Sequence, residues 1–370
     1  TLGFDLALVL EAGRAIAAGR SPYHPAMLSG LAPDAPSLFF SYPPPVAHAA
    51  SLLAGVPIAA ALAGLWTLAA VGLAVVSWLL VKQHAPNASW SLVTIAVVAS
   101  GPLVLPFAVA LLFGNLDALF PFLYGLVVLA ALGTPGTRIA GGAGLILASI
   151  TKLHPASLAL WFAVRGLRER HSGRRPRAWE VLLVAAGIGG ALIAVSLLAG
   201  GAGPWQDYIG VVRTGASASI VDPRNAGPAA QIAMLLGQEN SVARLLHVPV
   251  AIAVAAVSAW AAWTRADPLE GIAWAVAASL ATLPVTWYHY PTAAIPVAVA
   301  ALLRARGTPA QAATACLLLL AGVIAALGVV FLPLVWVALG LVIVAVRRSL
   351  ARTLQGAAMG GERSSARTLA

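Results

Sequence analysis

The groups in this chain that could handle protons or anions are few, and most of them cluster. Asp5 and His289 are a carboxylate and an imidazole, either of which can accept a proton. Lys152 and Arg224 are cations suited to an anionic group. Tyr23, Tyr42, Asn115, Asp117, His154, Asn225 and Trp287 are polar or aromatic side chains of the kind that hold a polar substrate. All map to segment ends or loops on one side of the sequence's apolar runs. Lys152 and His154 lie in the middle of an otherwise apolar stretch, where an ionisable group is costly unless paired or hydrated. Such groups usually line a water-accessible cavity.

Wound as a helix at 100° per residue, residues 4–18 place Glu11 and Arg14 on one polar face. Asp5 falls on the other side with Leu8, Val9, Ala12 and Ile16, where a carboxylate needs a partner. A plainer role for Asp5 is to cap the helix start. Phe40-Ser41-Tyr42-Pro43-Pro44-Pro45 predicts a rigid extended stretch that feeds a short helix. Gly114-Asn115-Leu116-Asp117 breaks a helix, and Asp117 is equally explained as a charge at a helix N-terminus. An aromatic belt accounts for the tryptophan and tyrosines of Trp287-Tyr288-His289-Tyr290-Pro291, but not for the histidine. No set of His, Asp and Glu has metal-ligand spacing.

The elements that position these groups are membrane helices. Hydrophobic residues make up 60% of the chain and charged ones 9%, too apolar for one soluble core of this length. Apolar runs predict spans at 57–81, 178–200, 246–264, 268–287, 309–328 and 330–346. Less regular ones fall at 91–107, 116–132 and 288–303. Residues 139–164 are broken at Lys152-Leu153-His154-Pro155, which predicts a bent pair or a re-entrant hairpin. The fold class is therefore all-α and polytopic, with about nine to eleven membrane segments and extra helices in the outer loops.

The net charge of +10 is placed as topology-setting charge, not as a nucleic-acid surface. With the loop 165–177 in the cytoplasm, 16 of the 22 basic residues fall inside, including Arg138, Arg265, Arg304 and Arg347. Arg14, Arg20, Lys152, Arg213, Arg224 and Arg244 fall outside, together with long outer segments at 1–56 and about 201–240. Residues 1–346 read as one membrane domain, with a further span expected upstream. Residues 347–370 read as a basic cytoplasmic tail, expected to be disordered.

In order, the stretches FDLALVLEAGRAIAAGRSPYHP, FSYPPP, FGNLDALFPFL, ITKLHPASLAL and TLPVTWYHYP followed by TAAIPVAVAALL resemble glycosyltransferase family 87. These are integral-membrane glycosyltransferases of the C-type fold, among them mannosyltransferases of phosphatidylinositol-mannoside assembly. The resemblance spans residues 4 to 303. Tyr290 departs from it, since many members carry a second histidine there.

The resemblance implies a plasma-membrane enzyme that moves a sugar, by default mannose, from a polyprenyl-phosphate donor to a lipid or glycan acceptor on the extracytoplasmic face. Inversion of the anomeric centre is expected, with no nucleotide and no cofactor. It places the first-loop aspartate on Asp5, the lysine-x-x-proline element on Lys152 to Pro155 and the tryptophan-x-histidine element on Trp287 to His289. Asp5 is then the first candidate for general base and His289 the second, with Lys152 and Arg224 as phosphate ligands. The alternatives are a lipid-linked-sugar transporter or flippase, and a scaffold in which Asp5, Lys152 and His289 do not converge.

Overall fold

The computed structural model describes residues 2–28, 40–84, 104–215, 220–305 and 308–367, and it is helical throughout, with no strand among the described residues. In chain order the helices are α1 (Phe4–Ala17), α2 (Pro25–Leu28), α3 (Pro44–Ser51), α4 (Ile58–His84), α5 (Val104–Phe113) and α6 (Phe120–Ala131). There follow α7 (Arg138–Thr151), α8 (Leu158–His171), α9 (Arg177–Gly200), α10 (Gly203–Gly215) and α11 (Pro228–Leu235). The chain closes with α12 (Asn240–Thr264), α13 (Pro268–Ser279), α14 (Ile295–Arg304), α15 (Thr308–Leu327) and α16 (Leu334–Arg367). Short 3-10 turns at Leu116–Leu119, His154–Ser157 and Tyr290–Ala294 precede α6, α8 and α14.

Among the described residues, four helices, α4, α9, α12 and α15, are long and apolar enough to cross a membrane, and they match the spans expected at 57–81, 178–200, 246–264 and 309–328. The span expected at 91–107 lies outside the described residues as far as 103, and the rest opens α5. The segment 268–287 is not one helix. It stops at Ser279 and continues as irregular chain to His289. Pro284 explains this, because a proline interrupts the backbone ladder and disfavours helix in the residue before it. The Thr286 hydroxyl donates back to the Leu280 carbonyl at 2.8 Å and folds the released chain over the helix end. The run at 330–346 begins at Leu334, and its helix continues past 347 to Arg367 as one element.

Residues 139–164 form a hairpin. α7 lies alongside α9, with Arg138 bonded to Glu180 and Gly142 against Val184. The later part of α8 meets the start of α9, where the Trp179 indole donates to the Ala163 carbonyl at 3.0 Å. Both outer ends of the pair therefore meet the N-terminal end of α9, and the tip is Lys152–His154. Close packing permits this arrangement: a Cβ on Gly144 would lie 2.6 Å from the Leu123 carbonyl of α6. Lipid gives little hydrophobic drive between helices, so intimate contact of this kind carries the association.

α6, α7, α8, α13 and α14 have 10 to 14 residues each and share one polarity of ends. At one end lie Arg138, Arg165 on the Arg265 carbonyl, and Arg304 on Asp267. At the other lie Asp117, Lys152, His154 and His289. Helices of this length are about 15–21 Å long, short of the roughly 30 Å hydrocarbon layer. Beside them α4, with 27 residues, runs about 40 Å, so the far ends of the short helices stop well below its full length. The polar ends are thus recessed.

Candidate active site

α1 closes this recess. Its N-cap is Gly3, which adopts a left-handed φ of 72° and donates its N–H to the Leu112 carbonyl at 2.9 Å. Gly3, not Asp5, thus occupies the capping position. The Asp5 carboxylate instead accepts from the Asn115 amide at 2.7 Å. Val9 and Ala12 are buried on the Asp5 side, and Glu11 and Arg14 are exposed opposite.

Gly114 sets up Asn115. Its φ is +66°, a conformation L side chains rarely adopt, and a Cβ there would lie 2.8 Å from Cβ of Leu6. Past this turn the Asn115 side-chain oxygen accepts from the Asp117 N–H at 3.0 Å, while its amide holds Asp5. One buried amide therefore ties the carboxylate of α1 to the turn that opens α6.

Asp117 is fully buried, and its Oδ2 lies 3.1 Å from Nε2 of His289. The approach is an ion-pair contact outside good hydrogen-bond alignment, and neither carboxylate oxygen has a hydrogen-bond partner among the described residues. The His289 ring also meets Tyr290 edge-on at 5.4 Å. The interruption of helix after Ser279 is what lets Trp287 and His289 turn toward this point.

Lys152 occupies the break between α7 and the turn at His154. Its ammonium stands 5.3 Å from the ring centre of Tyr42 and 5.4 Å from that of Tyr290. Tyr42 is itself held by its backbone, whose carbonyl accepts from the Tyr23 hydroxyl at 2.9 Å. Tyr23 is buried against Phe40 and Tyr208. Across the recess, Arg224 pairs with Asp222 at 2.7 Å and lies 5.7 Å from the Trp287 ring. The hydrogen bonds from Arg224 hold the Asp222 carboxyl below the ordinary aspartate range.

These groups converge on one cavity of about 320 Å³. Asp5, Tyr42, Asn115, Lys152, Arg224, Trp287 and His289 all line it, with Asp117 directly behind His289. Phe4, Leu8, Val109 and Phe113 supply an apolar wall from α1 and α5. Such a site joins proton acceptors, two cations, aromatic faces and an apolar flank in one recess.

Four of the expected binding residues are not in the lining: Asp117 is fully buried behind His289, and the other three lie further back. Tyr23 supports Tyr42. His154 is fully buried, stacked on Tyr290 at 4.7 Å and 3.4 Å from the Tyr124 hydroxyl, under the site. Asn225 is fully buried and satisfies backbone: its amide donates to the carbonyls of Ile220 and Pro284, both at 2.9 Å. Its oxygen accepts from the N–H groups of Gly227 and Thr286, both at 2.8 Å. It thereby fastens the Arg224 loop to the Trp287 strap. The apolar wall residues Val109 and Phe113 carry no sequence signal that separates them from lipid-facing residues.

The family model of glycosyltransferase family 87 matches residues 39–286, two thirds of the chain. The chain belongs to glycosyltransferase family 87. No curated protein and no solved structure matches it. The family 87 match includes Tyr42, Asn115, Asp117, Lys152 and Arg224, while Asp5 and His289 enter the same cavity from either side of the matched segment. This chain is thus a membrane glycosyltransferase, built on apolar helices and acting on a sugar donor and an acceptor.

Proposed function

We infer that the enzyme transfers mannose from a polyprenyl-phosphate donor to a lipid or glycan acceptor at the extracytoplasmic face of the plasma membrane. The observation that carries this reading is the composition of the cavity that Asp5, Lys152 and His289 share. A carboxylate, Asp5, faces two cations, Lys152 and Arg224, across a recess with an apolar flank. A lipid-phosphate sugar needs those three features together.

In the reaction, the acceptor hydroxyl oxygen attacks the anomeric carbon opposite the phosphate. The bond from that carbon to the phosphate oxygen breaks, and its electron pair leaves on the polyprenyl phosphate. Lys152 and Arg224 offset the growing phosphate charge. Asp5 takes the hydroxyl proton as general base, oriented by the Asn115 amide at 2.7 Å. His289, backed by Asp117, is the second proton acceptor in reach of the same space. Attack from the side opposite the leaving phosphate inverts the anomeric centre. Tyr42 and Trp287 offer faces for the sugar ring, and Phe4, Leu8, Val109 and Phe113 a path for the first isoprene units.

The sidedness rests on charge. The arginines at one end of the short helices fit a cytoplasmic surface, which puts the cavity toward the other side.

The test is reconstitution of the purified chain with polyprenyl-phosphate mannose and a crude lipid acceptor. Mannose should pass to the acceptor, and the product's anomeric configuration should be opposite to the donor's. Transfer only from a nucleotide sugar, or with retained configuration, would contradict the proposal. Activity with polyprenyl-phosphate arabinofuranose alone would change the sugar and keep the donor class.

A further inference from the structure

A second cavity, of about 400 Å³, lies at the opposite end of the same short helices. Arg138 opens α7, whose far end carries Lys152, and Arg165 lies late in α8, which begins beyond His154. Fourteen residues of helix set the two cavities about 20 Å apart.

The lining brings together Arg138, Arg165, Arg174, Arg175 and Arg177 with the carboxylate of Glu169. The nearby carboxylates are already engaged. Glu180 is shared by Arg138 and Arg175, and Glu169 accepts from the Ala178 N–H at 3.1 Å. Arg165 donates to the Arg265 carbonyl at 2.9 Å, which fixes its guanidinium without neutralising it. The cavity therefore keeps an excess of positive charge.

Its remaining wall is apolar, with Leu132, Trp161, Phe162 and Pro268. Trp161 is 1% exposed, and its indole nitrogen is turned toward Gly271 of α13. Topology-setting charge accounts for arginines at this end. It does not require them to converge on a concave site beside an apolar wall.

We propose that this cavity binds the phosphate headgroup of an anionic phospholipid. Guanidinium forks match phosphate oxygens in pairs, and the apolar wall suits the glycerol backbone and first methylenes. The bilayer presents such headgroups at high local concentration beside every basic turn. A lipid bound here braces the roots of α7 and α8, whose tips hold Lys152 and His154.

The test places the full chain in neutral phosphatidylcholine nanodiscs, titrates phosphatidylglycerol, and counts retained lipid by native mass spectrometry. Phosphatidylglycerol should be retained selectively, and the double variant R174Q/R177Q should weaken retention about tenfold, as loss of charge-assisted contacts implies. R165Q should act in the same direction. Arg174 and Arg177 are exposed, so the double variant decides the matter should R165Q fail to fold. R347Q/R348Q, which removes equal charge outside the cavity, should retain lipid like the parent. Three outcomes would overturn the proposal: no selectivity for phosphatidylglycerol, equal loss in R347Q/R348Q, or a site filled by millimolar inorganic phosphate with no preference for the lipid.

Discussion

Nε2 of His289 stands 3.1 Å from Oδ2 of Asp117, a carboxylate with no solvent exposure. The two are far apart in the chain, and the pairing depends on two breaks in helix, at Gly114 and after Ser279. A buried carboxylate against an imidazole fixes the ring's orientation. Asp117→Asn keeps the shape and removes that charge. Transfer should fall about 100-fold with unchanged thermal unfolding, a typical effect for a group that positions a proton acceptor. Full activity in this variant would leave the pair without a role in the reaction.

Asn115 holds Asp5 through a donated hydrogen bond, so its replacements should separate by donor ability. Asn115→Ala should lower kcat about tenfold, the cost of one lost charge-assisted bond. Asn115→Asp should be worse, because a second carboxylate cannot donate to Asp5 and repels it. The measurement is kcat against KM for the acceptor. Equal activity of the two variants would show that Asn115 does not orient Asp5.

Lys152 is assigned to the donor phosphate. Lys152→Met should raise the donor KM at least about tenfold, since a cation–phosphate contact is lost. Lys152→Arg should recover part of the loss by restoring the charge with a different geometry. A Lys152→Met enzyme with unchanged donor KM and reduced acceptor binding would move Lys152 to the acceptor side.

Gly114 ties the fold to the site. Gly114→Ala adds a Cβ 2.8 Å from Leu6 in a left-handed backbone conformation, which should cost about 2 kcal/mol. The expected reading is a lower midpoint of thermal unfolding in detergent, together with weaker transfer because Asn115 shifts. An unchanged midpoint would contradict the close approach of α1 to this turn.

Much of this arrangement was legible in the sequence where a rule is local. Helical periodicity puts Asp5 on the apolar face of α1, and burial of Val9 and Ala12 on that face shows that it meets protein. The break at Lys152 to Pro155 allowed either a bent pair or a hairpin. Only the contacts of α7 and α8 with the N-terminal end of α9 resolve that choice. Long-range pairings were not legible. No spacing rule joins Asp117 to His289, or Asn115 to Asp5. Nor does sequence tell a loop asparagine that faces substrate from one that satisfies backbone, as Asn225 does. His154 has the same ambiguity: an imidazole among apolar residues reads alike whether it lines a cavity or packs beneath one. The continuous span drawn over 268–287 failed because apolar character outlasts helix once Pro284 intervenes.

The proposed sugar transfer from a polyprenyl phosphate gives Asp5 the task of removing the acceptor proton. Its most direct test is single-turnover transfer by Asp5→Asn, which retains the size of the side chain and leaves Lys152 and Arg224 in place. The expected result is a loss of about 10²–10⁴-fold in the rate of transfer, with donor binding and thermal unfolding unchanged. Transfer by Asp5→Asn at the parent rate would contradict it.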